Sequence, residues 1–201
     1  MTDQRVYIVD DDEAMRDSLA WLLESQGFAV TAFASAEDFL AACHDGMAGC
    51  IVLDVRMPGM SGLELYEKLN ARRCALPVIF ITGHGDVPMA VSALKKGAAD
   101  FIEKPFSDKD MLRLIEQCLA LDRNNREKQQ QAVGVKRRLA NLTEREVEVM
   151  DLILAGKLNK QIADILNISI KTVEVHRGRI MDKMEARTVA ELVQAVMRGR
   201  Q

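Results

Sequence analysis

Four short apolar runs in the first half of this 201-residue chain each lead to a residue able to do chemistry. Val6-Tyr7-Ile8-Val9 runs into Asp10-Asp11-Asp12, and Cys50-Ile51-Val52-Leu53 runs into Asp54. Val78-Ile79-Phe80-Ile81 runs into Thr82, and Asp100-Phe101-Ile102 is followed shortly by Lys104-Pro105. Singly these are weak signals. An Asp run before a helix caps it and complements its dipole. An Asp that ends a strand is common, and a lone Thr or Lys says almost nothing. Together they form a set. Carboxylates converging on one point repel, so either their pKa values rise or a cation neutralises them. Oxygen donors of this kind suit Mg²⁺ (or Mn²⁺). An Asp carboxylate can then attack phosphorus and form an acyl phosphate. A Lys ammonium and a Thr hydroxyl would hold the remaining phosphoryl oxygens.

Such a set requires parallel strands whose carboxyl ends share one edge. The periodicity supplies them. After the first strand, Met15, Leu19 and Leu22 recur at helical spacing, and Gly27 is a natural stop. Residues 28–33 read as a second strand, and Ser35 with Asp38 opens a helix. Arg56-Met57-Pro58-Gly59-Met60-Ser61-Gly62 is turn-rich and precedes a helix through Leu65 and Leu69. A further helix is expected over residues 87–96, and Ser107 caps a long one through Leu112, Ile115 and Leu119. Five β/α units favour an α/β fold, a doubly wound five-stranded parallel sheet covered on both faces. Ligands of such sheets gather beyond the strands' carboxyl ends, where the strand order reverses.

Residues 6–12, Val52-Leu53-Asp54-Val55-Arg56-Met57-Pro58-Gly59-Met60-Ser61-Gly62, Phe80-Ile81-Thr82-Gly83 and Asp100-Phe101-Ile102-Glu103-Lys104-Pro105-Phe106 resemble the receiver domain of two-component response regulators. The resemblance implies a flavodoxin-like fold with Asp54 as phosphoryl acceptor. It implies Asp10 and Asp11 as the acidic pair, with Asp54 and the backbone carbonyl of Arg56 completing the metal ligands. Asp12 lies where the family varies and receives no ligand role. Thr82 and Phe101 resemble the family's switch pair, Lys104 its phosphoryl contact, and the Lys104–Pro105 bond is expected to be cis. The activity implied is Mg²⁺-dependent self-phosphorylation and slow autodephosphorylation at Asp54, not turnover of an external substrate. An aspartate-nucleophile phosphatase of the haloacid-dehalogenase kind would want DxDxT or DxDGT after the first strand. Asp10-Asp11-Asp12-Glu13-Ala14 lacks that Thr. A constitutive DNA-binding module with a vestigial receiver is the other alternative, and the intact set argues against it.

Beyond Leu142 the pattern is helical only. Thr143 and Glu146 form a capping box, Val147, Met150 and Leu154 mark one face, and Gly156 ends that helix. Asn159–Leu166, a turn at Asn167-Ile168-Ser169, and Ile170–Met184 fit helix, turn, helix. The last helix has Val189, Leu192, Val193 and Val196 at i, i+3, i+4, i+7, an apolar stripe that serves either core or dimer face. The second helix of such a pair can lie in the major groove. Here it presents Lys171, Thr172, Glu174, Val175, His176, Arg177, Arg179 and Lys183. The segments Leu142-Thr143-Glu144-Arg145-Glu146-Val147, Asn159-Lys160-Gln161-Ile162-Ala163 and residues 168–184 resemble the LuxR-type helix-turn-helix of the NarL/FixJ regulators. The FixJ-like branch matches best, including residues 83–91. Many relatives carry Lys where Glu174 stands, so a base code does not transfer. Glu174 either accepts from a cytosine amino group or pairs with a nearby cation.

Charge follows the same division. Residues 1–121 carry 11 Lys/Arg against 19 Asp/Glu, a net of −8, whereas residues 135–201 carry 13 against 9, a net of +4. The acidic part is assigned as residues 1–121 and the basic part as residues 137–201. Residues 122–136 are a linker or a helical extension. With 48% hydrophobic and 28% charged residues the chain is not disordered. It has no apolar run long enough for a membrane span and no secretion leader. Cys43, Cys50, Cys74 and Cys118 lack CxxC spacing and read as reduced thiols in a cytoplasmic protein. The expected partners are a cognate sensor histidine kinase, double-stranded promoter DNA, RNA polymerase and a second copy in a phosphorylation-promoted homodimer. The expected role is a phosphorylation-controlled transcription activator.

Overall fold

The structure, a computed structural model, describes residues 4–83 and 87–199. Residues 1–3, the His84-Gly85-Asp86 part of the FixJ-like segment and the side chains of residues 87–90 lie outside the described residues. The chain divides into two compact units, Met1–Arg126 and Glu127–Gln201.

The first unit alternates strands and helices: β1 (Arg5–Val9), α1 (Glu13–Ser25), β2 (Ala29–Phe33), α2 (Ala36–Ala42), β3 (Gly49–Asp54), α3 (Gly62–Ala71), β4 (Val78–Thr82), α4 (Val87–Lys95), β5 (Asp100–Glu103) and the start of α5 (Asp108–Ala140). All pairings are parallel, in the order β2-β1-β3-β4-β5. The strands are apolar almost throughout because both faces are covered. Alternate residues divide between two cores. Tyr7, Val9, Ile51, Leu53, Val78 and Phe80 pack with Phe39, Leu65 and Leu69. Val6, Ile8, Cys50, Val52, Ile79 and Ile81 pack with Leu19, Leu23, Met111 and Ile115. Each such side chain contributes about 1.5–3 kcal/mol on burial.

Two local expectations shift. Phe28 precedes β2 and is not part of it. Asp122, which looked like the first residue of a polar stretch, is buried on α5. It accepts hydrogen bonds from Gln4 Nε2 (2.8 Å) and Gly49 N (3.0 Å). It stands at helical spacing from Met111, Leu114, Ile115, Cys118 and Leu119, all of them buried. Residues 122–136 are helical throughout.

The second unit contains the end of α5, α6 (Glu144–Leu154), α7 (Asn159–Leu166), α8 (Ile170–Met184) and α9 (Val189–Gly199). Val149, Met150, Ile153, Ile162, Val173, Ile180, Met184, Leu192 and Val196 form its core, joined by Val135 from α5. The inner face of α6 is therefore Glu146, Val149, Met150 and Ile153. The stripe read from sequence through Val147, Met150 and Leu154 is rotated by about one residue. Both stripes satisfy helical spacing, and the neighbours α7 and α8 decide between them. The apolar stripe of α9 divides as well. Leu192 and Val196 are buried, whereas Val189 and Met197 are exposed. Asn167, at φ 51, ends α7 in the left-handed conformation and starts the turn into α8.

Candidate functional site

The strand order reverses between β1 and β3, which are neighbours with Val9 opposite Leu53. The next residue of each strand path, Asp10 and Asp54, therefore falls side by side. Both are buried, at 1% and 6% exposure. Lys104, beyond β5, reaches between them. Its Nζ lies 2.8 Å from Asp54 Oδ1 and 3.3 Å from Asp10 Oδ2. The other oxygen of Asp54 accepts the Arg56 backbone N–H at 2.7 Å. Asp10 Oδ1 accepts the Asp12 N–H at 2.9 Å, and Arg16 Nη1 donates to the Asp10 carbonyl at 2.8 Å. An open cleft of about 260 Å³ over this group is lined by Asp10, Asp11, Asp12, Asp54, Arg56, Gly83 and Lys104.

The three adjacent aspartates do different work. Asp12 caps α1, accepting from Ala14 N and Met15 N. Asp11 is exposed at the cleft. Asp10 is the buried member. Burial pushes its carboxyl above the ordinary range against the Asp12 N–H, and the charge of Asp54 adds to the rise. Burial also works against the Lys104 ammonium, but the bond to Asp54 and the charges of Asp54 and Asp10 outweigh it and raise its pKa. Among the described residues no group of three His, Cys, Asp or Glu side chains is placed to hold a metal ion by itself. Lys104 is the positive charge that holds the two buried carboxylates. The donor set around it is nonetheless all oxygen and short of positive charge, which is the chemistry a hard divalent cation fits.

Thr82 is fully buried at the end of β4, and its hydroxyl donates to the Ile102 carbonyl at 3.4 Å. Phe101 is half-buried against the core on the α2–α3 side. The Lys104–Pro105 bond is cis. One contributor has no signature in the sequence. Glu37 Oε1 accepts the Met60 N–H at 3.0 Å and so ties α2 to the loop after β3. An acid in the first turn of a helix reads only as dipole compensation.

In the second unit, Ser169 caps α8 by accepting from Thr172 N at 3.0 Å, and the two hydroxyls share a 2.8 Å hydrogen bond. Lys171, Thr172, Glu174, Val175 and Arg179 are exposed, and His176 and Arg177 are half-buried. Among the described residues, Lys171, Glu174, Arg177 and Arg179 enter no ion pair. Lys183 is employed internally instead. Its Nζ lies 2.6 Å from Glu146 Oε2 and 3.1 Å from the Asn141 carbonyl. Arg145 similarly donates to the Leu166 carbonyl at 2.7 Å, holding the end of α7.

The Lys183 bond, followed by the Thr143 N–H, holds the Glu146 carboxyl below its ordinary value of 4.5. A depressed folded-state value adds stability above the unfolded value, and this is lost as pH falls through the folded one. Glu146→Gln is therefore expected to destabilise the second unit by about 1–3 kcal/mol at neutral pH. The difference from wild type should shrink steadily below about pH 4.5. Hydrogen exchange of the α6 and α8 amides across pH measures this. A difference independent of pH would remove the charge from the explanation.

The fold and the two sites define a class: an acidic, lysine-bridged α/β unit followed by a helix-turn-helix. The family comparisons agree. Residues 6–116 match the response regulator receiver domain, and residues 140–196 match the bacterial regulatory proteins of the luxR family. The chain belongs to the response regulators that combine these two domains, and it is a FixJ-like transcription regulator of a two-component system. It is 45% identical to the transcriptional regulatory protein FixJ of Bradyrhizobium diazoefficiens over 98% of this chain and 97% of that protein. It is 47% identical to FixJ of Rhizobium meliloti over 99% and 98%. The solved structure of the response regulator StyR matches with a TM-score of 0.87 and 44% identity, covering 98% of this chain and 99% of that one. Among the described residues no helix is long and apolar enough to cross a membrane.

Proposed function

We propose that Asp54 accepts a phosphoryl group from the phosphohistidine of a cognate sensor kinase, and that this modification switches the chain to activate transcription. The observation that carries the reading is the environment of Asp54, with one oxygen on Lys104 and the other on the Arg56 N–H, beside buried Asp10. A carboxylate oxygen of Asp54 attacks phosphorus, the phosphorus–nitrogen bond breaks, and the leaving imidazole takes up a proton. Lys104, on a flexible stem, follows the charge onto the transferred oxygens. Asp10, Asp11, Asp54 and the Arg56 carbonyl are the oxygens that would hold Mg²⁺ (or Mn²⁺), whose charge would offset that of the phosphoryl group. Slow hydrolysis of the acyl phosphate would reset the chain.

Phosphoryl oxygens at Asp54 give the Thr82 hydroxyl a stronger acceptor than the Ile102 carbonyl it now uses. Thr82 turns towards them, Phe101 turns into the vacated space, and the surface over α4 and β5 changes. The shift favours a homodimer through differential contacts in the two states. Val189 and Met197, exposed on α9, offer an apolar face to such a dimer. Lys171, Arg177 and Arg179 contact the phosphates of promoter DNA, while Glu174 meets a base edge. Lys183, read with them from the sequence as a phosphate contact, is held by Glu146 instead. RNA polymerase recruitment and a cytoplasmic location complete the reading.

The test is incubation of the full chain with Mg²⁺ and a small phosphodonor, followed by intact-mass measurement. Wild type should gain one phosphoryl group and Asp54→Asn none. Equal gain by both would end the proposal. Arg177→Gln is expected to weaken binding to all duplexes and to lower the salt slope by about 0.9 per lost phosphate contact. An unchanged slope in a mobility-shift titration would take Arg177 off the phosphate backbone.

A further inference from the structure

Cys43 and Cys74 lie far from the acceptor chemistry, and nothing in the phosphoryl mechanism uses them. Cys43 directly follows α2, and Cys74 lies in the turn between α3 and β4, after Arg73 at φ 57. Their sulfurs are 4.0 Å apart across 31 residues of sequence. Both are half-buried, outside regular elements and packed against the same core. We propose that Cys43 and Cys74 form a reversible intramolecular disulfide under a peroxide oxidant, a second covalent modification of the unit that carries Asp54.

The geometry is close to what the bond needs. A disulfide holds its sulfurs at about 2.05 Å, so the pair must close by about 2 Å. Both cysteines lie outside regular elements, so side-chain torsions and loop backbone are the parts that close this gap. The chemistry balances. One thiol loses its proton, and its sulfur attacks peroxide oxygen. The O–O bond breaks, leaving a sulfenic acid and releasing water. The second sulfur then attacks the sulfenic sulfur, and the hydroxyl leaves as water with the second thiol's proton. The net change is two thiols and one hydrogen peroxide to one disulfide and two waters.

Two further observations define how the pair behaves. Burial, then the neighbouring Cys74, pushes the Cys43 thiol up to about 11, with Arg72 opposing. Cys43 is therefore protonated at neutral pH, and its oxidation is slow and accelerates with alkali. Cys50 and Cys118 provide an internal contrast. Cys50 is fully buried on β3 and Cys118 is buried on α5. Burial shields both from a dissolved oxidant. The cross-link closes the segment that contains β3, α3 and Asp54, so it restricts the unfolded chain and raises the unfolding midpoint of the first unit.

The experiment treats the full chain with hydrogen peroxide, alkylates it in denaturant, and maps peptides without reduction. The expected product is monomeric, has lost two hydrogens in mass, carries a Cys43–Cys74 cross-linked peptide, and retains alkylated Cys50 and Cys118. Dithiothreitol restores all four thiols. Cys74→Ser should abolish the cross-link and leave Cys43 as a sulfenic acid that dimedone traps, with the fold checked by amide exchange. Four unmodified thiols would overturn the proposal. So would cross-links only between chains, or sulfinic acid at either position without a cross-link.

Discussion

Lys104→Met should slow phosphoryl gain at Asp54 by about 10²-fold or more, and it should tighten Mg²⁺ binding. The two effects have opposite signs for one reason. The ammonium spans Asp54 Oδ1 and Asp10 Oδ2 at 2.8 and 3.3 Å, so in the resting state it occupies oxygens that a divalent cation would also use. Removing it leaves the acidic group with one positive charge fewer, which favours the metal. The same removal deprives the transferring phosphoryl group of its cationic contact, and the barrier rises. Methionine keeps most of the aliphatic stem and deletes the charge. A time course of intact mass with a small phosphodonor gives the rate, and calorimetric titration gives the Mg²⁺ affinity. A slower rate with weaker Mg²⁺ binding would mean that the substitution distorted the site. An unchanged rate would remove Lys104 from the transfer step.

The parts legible in the sequence were those fixed by local rules. Strands of a sheet covered on both faces are nearly continuous apolar runs, so β1, β3 and β4 stand out with the residues that follow them. Helix starts were legible through side-chain caps. Ser35, Ser107, Thr143 and Ser169 each accept from a backbone N–H of the helix they open. The helix-turn-helix bounds, Asn159–Leu166 and Ile170–Met184, coincide with the pattern because Asn167 and Ser169 punctuate it from both sides. Contacts between distant segments left no local trace. Lys183 looks like any cation on a solvated helix face until Glu146, 37 residues earlier, is seen to meet it. Glu37 and Asp122 are of the same kind. Each is an acid whose partner, Met60 N or Gly49 N, is defined only once the sheet has assembled.

Gly62→Ala tests whether that assembly places the acceptor. Gly62 opens α3 directly behind the end of β3. A methyl group there would stand 2.0 Å from the Asp54 carbonyl oxygen, 3.0 Å from its carbonyl carbon and 3.2 Å from Leu53 Cγ. Backbone cannot give way as a side chain can, so either α3 moves outward or the end of β3 shifts with Asp54 on it. A loss of stability on the order of 3 kcal/mol is expected. Transfer per folded molecule should also fall by about tenfold or more, because a misplacement of 1 Å can cost about 10²-fold. Gly49→Ala separates the two effects. Its methyl would stand 1.7 Å from the Arg5 carbonyl oxygen, at a φ of +130° that favours glycine. It strains the opposite edge of the same sheet, far from the carboxylates. Gly49→Ala should therefore lower stability at least as much and leave the rate per folded molecule near wild type. Unfolding curves supply the folded fraction, and intact-mass time courses supply the rate. If both variants slow transfer in the same proportion once folded fraction is counted, general loosening of the sheet explains the loss. If Gly62→Ala alone slows it, the close approach of α3 to the Asp54 backbone is what aims the carboxylate at phosphorus.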